Sequence, residues 1–252
     1  MIEALIIFPT GIAIATIVTA FGLGGGILWL PFFLIILDLQ AETAVITSLM
    51  IQIAGLGSGS LAYIRESAVD YRLAFFLVLI SVPGVLAGAY ISYTVEPASL
   101  ELILGLLVMG TAFLFVSANE AYEDTGQKRA SIKKAAGYAW LQLGLSVGSG
   151  MLSIGIGEWL VPIMQNRLAL RMRNAIATCI FVTFAMFVAG TVIHFSLGGV
   201  ADLGIAAAAI PGVMIGGQIG PAVTRRINQR LLKDMFIFLL TLIGIHLMYN
   251  AY

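Results

Sequence analysis

Long apolar runs occupy most of the chain and restrict it to folds that can exist in a lipid bilayer. They lie at about residues 4–37, 43–64, 73–95, 98–117, 135–166, 174–197, 203–223 and 235–252. Only 10% of the residues are charged, whereas a soluble domain carries about a quarter. A helix needs ~20 apolar residues to cross the ~30 Å hydrocarbon core, and the runs lack the alternation typical of strands. The sequence therefore predicts an all-α protein that crosses the lipid bilayer many times.

Two of the runs are longer than one crossing needs and are interrupted by glycines. The first interruption is GLGGGILWLP, from Gly22 to Pro31, and the second is GSGMLSIGIGEWLVP, from Gly148 to Pro162. Glycine weakens a helix because it loses the most backbone freedom on ordering. In lipid, a broken backbone is tolerated only where protein or a water-filled cavity surrounds it. Paired interruptions in two halves of a membrane protein indicate a binding site, so we predict a transporter centred on these breaks.

The two halves of the chain are copies of each other. At a constant spacing of 131 residues, Gly24 matches Gly155 and Pro31 matches Pro162. Repeats of this length are the usual construction of secondary transporters. We predict a first membrane repeat at residues 1–118, a cytoplasmic linker at 119–134 and a second membrane repeat at 135–252.

The basic residues predict how the two copies are oriented. Lys and Arg cluster after the second and fourth runs, and again after the fifth and seventh runs. Eight simple crossings would put these clusters on both sides of the membrane, contrary to the preference of basic loops for the cytoplasm. If the first and fifth runs fold back at their glycines, all 13 Lys and Arg lie on one side.

This reasoning predicts two inverted repeats, each a Gly-broken hairpin followed by three transmembrane helices. The hairpin is either a re-entrant segment of half depth or a split helix with one full crossing. The basic loops are then cytoplasmic, and both termini are extracytoplasmic.

The two breaks are predicted to form a site for a small anion. The second arm of each hairpin starts at about Ile27 or Glu158, with its free N–H groups and positive dipole end toward the centre. No Lys or Arg lies deep in an apolar run, so an anion would depend on backbone N–H groups and neutral side chains. We expect the substrate-binding residues to be Gly24, Gly25, Gly26, Ile27, Trp29, Gln52, Ser153, Gly155, Gly157, Trp159, Asn174 and Thr178.

Glu158 and His194 are the candidates for proton coupling. Glu158 is the only acid well inside an apolar run, where an ionisable group is costly. It is either a proton-coupling residue or a structural cap of the second arm. Alternatively, ionised Glu158 binds a cation directly, and the chain conducts cations or protons. His194 is either a proton relay or a buried core histidine.

Other classes of function have little support in the sequence. The net charge of zero gives no reason to expect a nucleic-acid partner. We see no catalytic constellation and no metal-ligand spacing, so we expect neither an enzyme nor a cofactor. The short loops offer little surface for a scaffold or receptor role. The oligomeric state is left open.

The chain resembles the TauE/SafE family of sulfite exporters and toluene-sulfonate uptake permeases. The resemblance rests on two related halves, the polar central loop and a G-x-G-G-G-x-x-x-x-P signature, here Gly22, Gly24, Gly25, Gly26 and Pro31. It implies transport of small anions, often organosulfur compounds such as sulfite, sulfonates or sulfoacetate-like molecules, across a prokaryotic cytoplasmic (inner) membrane. The second copy departs from the signature, since Ser153 and Ile156 replace glycines and Glu158 stands where an apolar residue is common.

Overall fold

All the regular elements that the computed structural model describes are helices. It describes residues 2–96, 99–100, 102–103, 105–107, 109–110, 113, 126–224, 241 and 245. The fourth and eighth apolar runs, and with them the third transmembrane helix expected in each half, lie mainly outside these residues. The side chain of Glu158 and residues 114–125, which include the start of the expected linker, lie outside them as well.

The first half contains four described helices. The long first run divides into α1 (Ile2–Phe21) and α2 (Gly26–Pro31), which a π-helical turn (Phe32–Ile36) continues. Two long helices follow, α3 (Ala41–Arg65) and α4 (Tyr71–Ser92).

The second half contains a comparable series of helices, with a shorter first arm. After the short α5 (Ile132–Ala136) come α6 (Ala139–Leu152), α7 (Gly157–Asn166), α8 (Met172–Ser196) and α9 (Leu203–Thr224). Helices α3 and α8 have 25 residues each, and α4 and α9 have 22 each. These four helices are long and apolar enough to cross a membrane.

Helices α3 and α8 lie side by side and run in opposite directions. Thr178, near the start of α8, accepts a hydrogen bond from the N–H of Asp70, just after α3 (3.0 Å). Thr47, near the start of α3, accepts one from the N–H of Asp202, just after α8 (2.9 Å). Both aspartates also cap the helix that follows, since their carboxylates accept from the N–H three residues on. The start of each long helix therefore lies beside the end of the other.

Helix α1 packs closely along α9, in the same direction. A Cβ at Gly212 would meet the backbone of Phe8, and one at Gly216 would meet the backbone of Ile12. Helix α6 packs along α4 in the same way, because a Cβ at Gly88 would meet the carbonyl of Val147. Small residues on one helix face let two backbones approach this closely.

The first apolar run turns back at its break. The end of α1 lies near the end of α3, because the Tyr63 hydroxyl donates to the carbonyl of Thr19 (2.8 Å). The chain then reverses, and α2 with the π-helical turn leads back to the start of α3. At ~1.5 Å per residue, α1 is ~30 Å long, whereas residues 26–36 span only ~16 Å. The first hairpin thus combines one arm of crossing length with a short returning arm.

The described basic residues lie at one end of the helix bundle. Arg173, at the start of α8, forms an ion pair with Glu66, at the end of α3. The N–H of Ala130 donates to the carboxylate of Asp70 (2.8 Å), which places the described part of the expected linker at the same end. The basic residues found there are Arg65, Arg72, Lys128, Arg129, Lys133, Lys134, Arg167, Arg171 and Arg173. That this end is cytoplasmic stays a prediction.

Candidate functional site

The two breaks pass each other with their backbones in contact. A Cβ at Gly24 would lie far inside 3.0 Å of the backbone of Gly155, and the reverse also holds. A Cβ at Gly26 would meet the carbonyl of Ser153, and one at Gly157 would meet the carbonyl of Gly22. Real Cβ atoms essentially never come so close. The two segments therefore run antiparallel past each other, and only glycine fits at these four positions.

The helices end at the breaks with left-handed backbone. Gly22 follows α1 with φ +75°, and Ser153 follows α6 with φ +50°. Helix α6 continues through Gly148 and Gly150 to Leu152, so the second break begins later than the first glycines of its stretch. Glycine weakens a helix but does not end it where the backbone hydrogen bonds of the helix continue. The returning arms begin at Gly26 and Gly157, one residue before the expected starts.

Gln52, in the middle of α3, connects the two breaks. Its Nε2 donates to the hydroxyl of Ser48 (2.7 Å) and to the carbonyl of Ser153 (3.2 Å), in the second break. Its Oε1 faces the first break, since a Cβ at Gly25 would lie 2.7 Å from that oxygen. Gln52 is 3% exposed. One amide side chain thus contacts both halves of the crossing.

A small cavity lies beside the first break, among α1, α2, α3 and α9. Its volume is about 10 Å³, room for about one water molecule. Its lining includes Thr19, Gly25, Trp29, Gln52, Leu56 and Val213, and none of the lining side chains carries a charge. The Oε1 atom of Gln52 has no hydrogen-bond partner. The hydroxyl of Thr19 donates to the carbonyl of Ala15 (2.6 Å) and lies against Gly220 of α9, so the unpaired acceptor among the lining side chains is the Gln52 oxygen.

The corresponding positions of the second half carry different polar groups. Thr183 lies 131 residues after Gln52, and Cys179 lies 131 after Ser48. The thiol of Cys179 donates to the carbonyl of Gly22 (3.5 Å) and lies 3.8 Å from the hydroxyl of Thr183. On one side, the crossing is therefore bonded by the amide of Gln52 and the hydroxyls of Ser48 and Ser153. On the other side it is bonded by the thiol of Cys179.

The sequence did not predict that Ser48, Thr19 and Cys179 lie at the breaks. Ser48 and Cys179 hold matching places in the two copies, so the repeat alignment was the signal that could have found them. Thr19 had no such signal, because its counterpart Gly150 has no side chain.

Seven of the expected site residues come together at the crossing, and others lie next to it. The seven are Gly24, Gly25, Gly26, Gln52, Ser153, Gly155 and Gly157. Trp29 lines the cavity and stacks at 5.1 Å from Phe33, ring centroid to ring centroid. Ile27 is fully buried in α2, and Trp159 is half-buried in α7.

Asn174 and Thr178 have their partners at the basic end of the bundle. The amide of Asn174 donates to the carbonyl of Ala68 (2.7 Å), and Thr178 accepts from the backbone of Asp70. These bonds fix the start of α8 against the end of α3.

His194 lies near the opposite end, at the end of α6. Its Nε2 donates to the carbonyl of Gly150 (2.9 Å), and the side chain is 1% exposed. The hydroxyl of Tyr93 donates to the carbonyl of His194 (3.1 Å). Burial, and then the neighbouring carboxylate of Glu42, raise the pKa of the Tyr93 phenol. His194 therefore connects α8 with the end of the arm that leads into the second break.

Glu158 is the second residue of α7, directly after the crossing. Its coupling or capping role stays a prediction, because its side chain lies outside the described residues. Within the described part of the chain, no group of three or more His, Cys, Asp and Glu residues could hold a metal ion.

The chain is similar to a family of membrane transporters over almost its whole length. The model of the family described as "Sulfite exporter TauE/SafE" matches residues 7–247. The probable membrane transporter protein YunE of Bacillus subtilis is 29% identical, covering 98% of this chain and 97% of YunE. The probable membrane transporter protein MamO of Magnetospirillum gryphiswaldense is 26% identical over 76% of this chain, which spans 36% of MamO. No solved structure matches the chain.

Proposed function

The chain belongs to the sulfite exporter TauE/SafE family and is a membrane transporter, and from this premise we propose that it is a secondary carrier of small anions. The proposed substrates are sulfur oxyanions: sulfite, which the family's name mentions, and the chemically related sulfonates. The observation that supports the proposal is the crossing of the two glycine breaks, which puts irregular backbone from both halves at one place inside the helix bundle.

Alternating access around this crossing is the proposed mechanism. The hairpin arms enter from opposite ends of the bundle, and α3 and α8 run antiparallel with matching bonds at Thr47 and Thr178. These features favour two inverted repeats, the usual architecture of carriers that open alternately to either side. The small cavity beside Gln52 then belongs to a closed conformation between the two open ones.

The helix start next to the crossing supports the proposed negative charge of the substrate. The lining of the cavity holds no cationic side chain, so an anion would be held by the start of α7, whose N–H groups and dipole favour negative charge. Binding without a full counter-charge is weak and reversible, as a carrier requires. Glu158 at the same helix start would be protonated when an anion binds, which makes it the candidate for proton coupling.

The proposed setting is the inner membrane of a prokaryote, with the basic end in the cytoplasm. Loops rich in Lys and Arg stay on that side during insertion. The two termini are then extracytoplasmic.

Flux of radiolabelled sulfite into proteoliposomes tests the proposal directly. We expect saturable uptake that Gly24→Ala abolishes, because the new methyl group would overlap the backbone of Gly155. Gly148→Ala is the matched control, since a Cβ there meets nothing within 4 Å, and it should transport normally. Size-exclusion chromatography shows whether each variant is folded.

A cation or proton pathway with Glu158 as the ion site is the second candidate. The unpaired acceptor oxygen of Gln52 beside the cavity favours it. The Glu158→Gln variant separates the two functions in the same vesicles. Loss of cation flux with no anion flux in the wild type would replace the anion carrier with this pathway.

A further inference from the structure

Gln52 presents one polar atom that the fold leaves without a partner. The side chain is 3% exposed, and its Oε1 is among the buried side-chain atoms that make no hydrogen bond. A buried acceptor that stays unpaired loses its bonds to water and gains none in return. This oxygen faces a cavity at the proposed binding site. A buried polar group in such a place needs a ligand atom or a water molecule as its partner.

The orientation of the amide is fixed by its other bonds. The nitrogen donates to the carbonyl of Ser153 (3.2 Å), and a carbonyl oxygen can only accept. Turning the amide over would place two acceptor oxygens against each other. The atom that faces Gly25 and the cavity is therefore the oxygen, and it can pair only with a hydrogen-bond donor.

The other side chains that line the cavity carry no charge. The hydroxyl of Thr19 lies against Gly220 of α9 and donates its proton to the carbonyl of Ala15, so it offers the cavity no donor. No carboxylate is part of the lining, which distinguishes the site from one built for a free cation. It suits a neutral O–H or N–H group on a molecule whose negative charge lies elsewhere, at the helix start.

We infer that Gln52 selects anions that carry a hydrogen-bond donor next to their charged group, such as hydroxyl-bearing small sulfonates. The inference rests on the proposed anion carrier and names the part of the substrate that its central amide recognises. The Oε1 atom of Gln52 accepts from the donor of the substrate, while the oxyanion lies toward the N–H groups at the start of α7. A substrate with a methyl group in that place leaves the amide oxygen unpaired.

Two ligands of almost equal shape test this preference. 2-Hydroxyethanesulfonate and propane-1-sulfonate differ only in a hydroxyl group against a methyl group, and neither changes its charge between pH 5 and pH 8. Thermal stabilisation of the purified protein, titrated with each ligand, gives their relative affinities. We expect 2-hydroxyethanesulfonate to bind about 10-fold more tightly, because propane-1-sulfonate leaves one hydrogen bond unmade.

Variants of Gln52 then connect the preference to this side chain. In Gln52→Met the two ligands should bind about equally, because the acceptor is gone. Thr183→Val changes the matching position of the second half and should keep the preference. Gln52→Glu is the variant for the case in which methionine impairs folding. Its protonated form still donates to Ser153 and accepts in the cavity, so the preference should return at acid pH.

The outcomes separate the inference from the proposed function. Equal stabilisation by both ligands in the wild-type protein would overturn the role of Gln52 and leave the anion carrier standing, with a water as the partner of Oε1. Stabilisation by sodium or potassium chloride alone, with no effect of either sulfonate, would overturn both.

Discussion

Ser153 holds a backbone conformation that suits glycine better. Its φ is +50°, and its counterpart in the first break, Gly22, has φ +75°. A left-handed conformation costs a residue with a Cβ roughly 1–2 kcal/mol. The hydroxyl of Ser153 offsets part of this cost, because it donates to the buried hydroxyl of Ser48 (3.0 Å).

Two substitutions of Ser153 should separate these effects. Ser153→Ala keeps the strained backbone and loses the hydrogen bond, whereas Ser153→Gly loses the bond but relieves the strain. We therefore expect the alanine variant to be less stable than the glycine variant by about 1 kcal/mol. Thermal melts of the detergent-solubilised proteins measure the difference. A glycine variant that melts below the alanine variant would show that the backbone at this position is not strained.

At the scale of elements, each hairpin is held to the long helices by a matching bond. The Tyr63 hydroxyl, near the end of α3, donates to Thr19, near the end of α1. Nε2 of His194, near the end of α8, donates to Gly150, near the end of α6. In both pairs the second-half residue lies 131 positions after its counterpart. The two bonds fix the first arm of each hairpin just before the chain enters the breaks.

Removing the Tyr63 hydroxyl should loosen the first hairpin. We expect Tyr63→Phe to lower the free energy of unfolding by about 1 kcal/mol, because the hydroxyl is buried and its bond is lost. Denaturant or thermal unfolding followed by circular dichroism measures the change.

Tyr71→Phe supplies the control at the same end of the bundle. The Tyr71 side chain is 43% exposed, so the loss of its hydroxyl should change stability little. Equal effects of the two substitutions would mean that the bond at Thr19 does not hold the arm.

For the whole molecule, the decisive prediction is its orientation in the membrane. In a Cys179→Ser background, single cysteines are placed at exposed Gln40, between the first hairpin and α3, and at exposed Lys128, at the basic end. A membrane-impermeant maleimide added to intact cells should label position 40 and should reach position 128 only after permeabilisation. This result follows from the basic end being cytoplasmic.

The reverse labelling pattern would place the termini in the cytoplasm and the basic end outside. Labelling of both positions in intact cells would indicate that the reagent crosses the membrane. A cysteine introduced by Thr183→Cys, at a fully buried position, checks that the reagent does not label the protein interior.

The sequence alone determined the membrane class, the positions of most helices and the two breaks. These follow from local properties: apolar runs set the helices, glycines weaken them, and the spacing between Gly24 and Gly155 relates the two copies. The expected starts of the returning arms, Ile27 and Glu158, were within one residue of the observed ones. The linker and the boundaries of the two repeats stay predictions.

Only the tertiary structure decided how the breaks meet and which side chains lie at their crossing. That Gly22 contacts Gly157, and Gly26 contacts Ser153, depends on how helices from the two halves pack together. The same packing turned Gln52 toward the breaks and directed Asn174 and Thr178 to the basic end. An apolar pattern tells a membrane helix from a loop, but nearly every face of these helices is apolar, so the pattern does not say which face meets which neighbour.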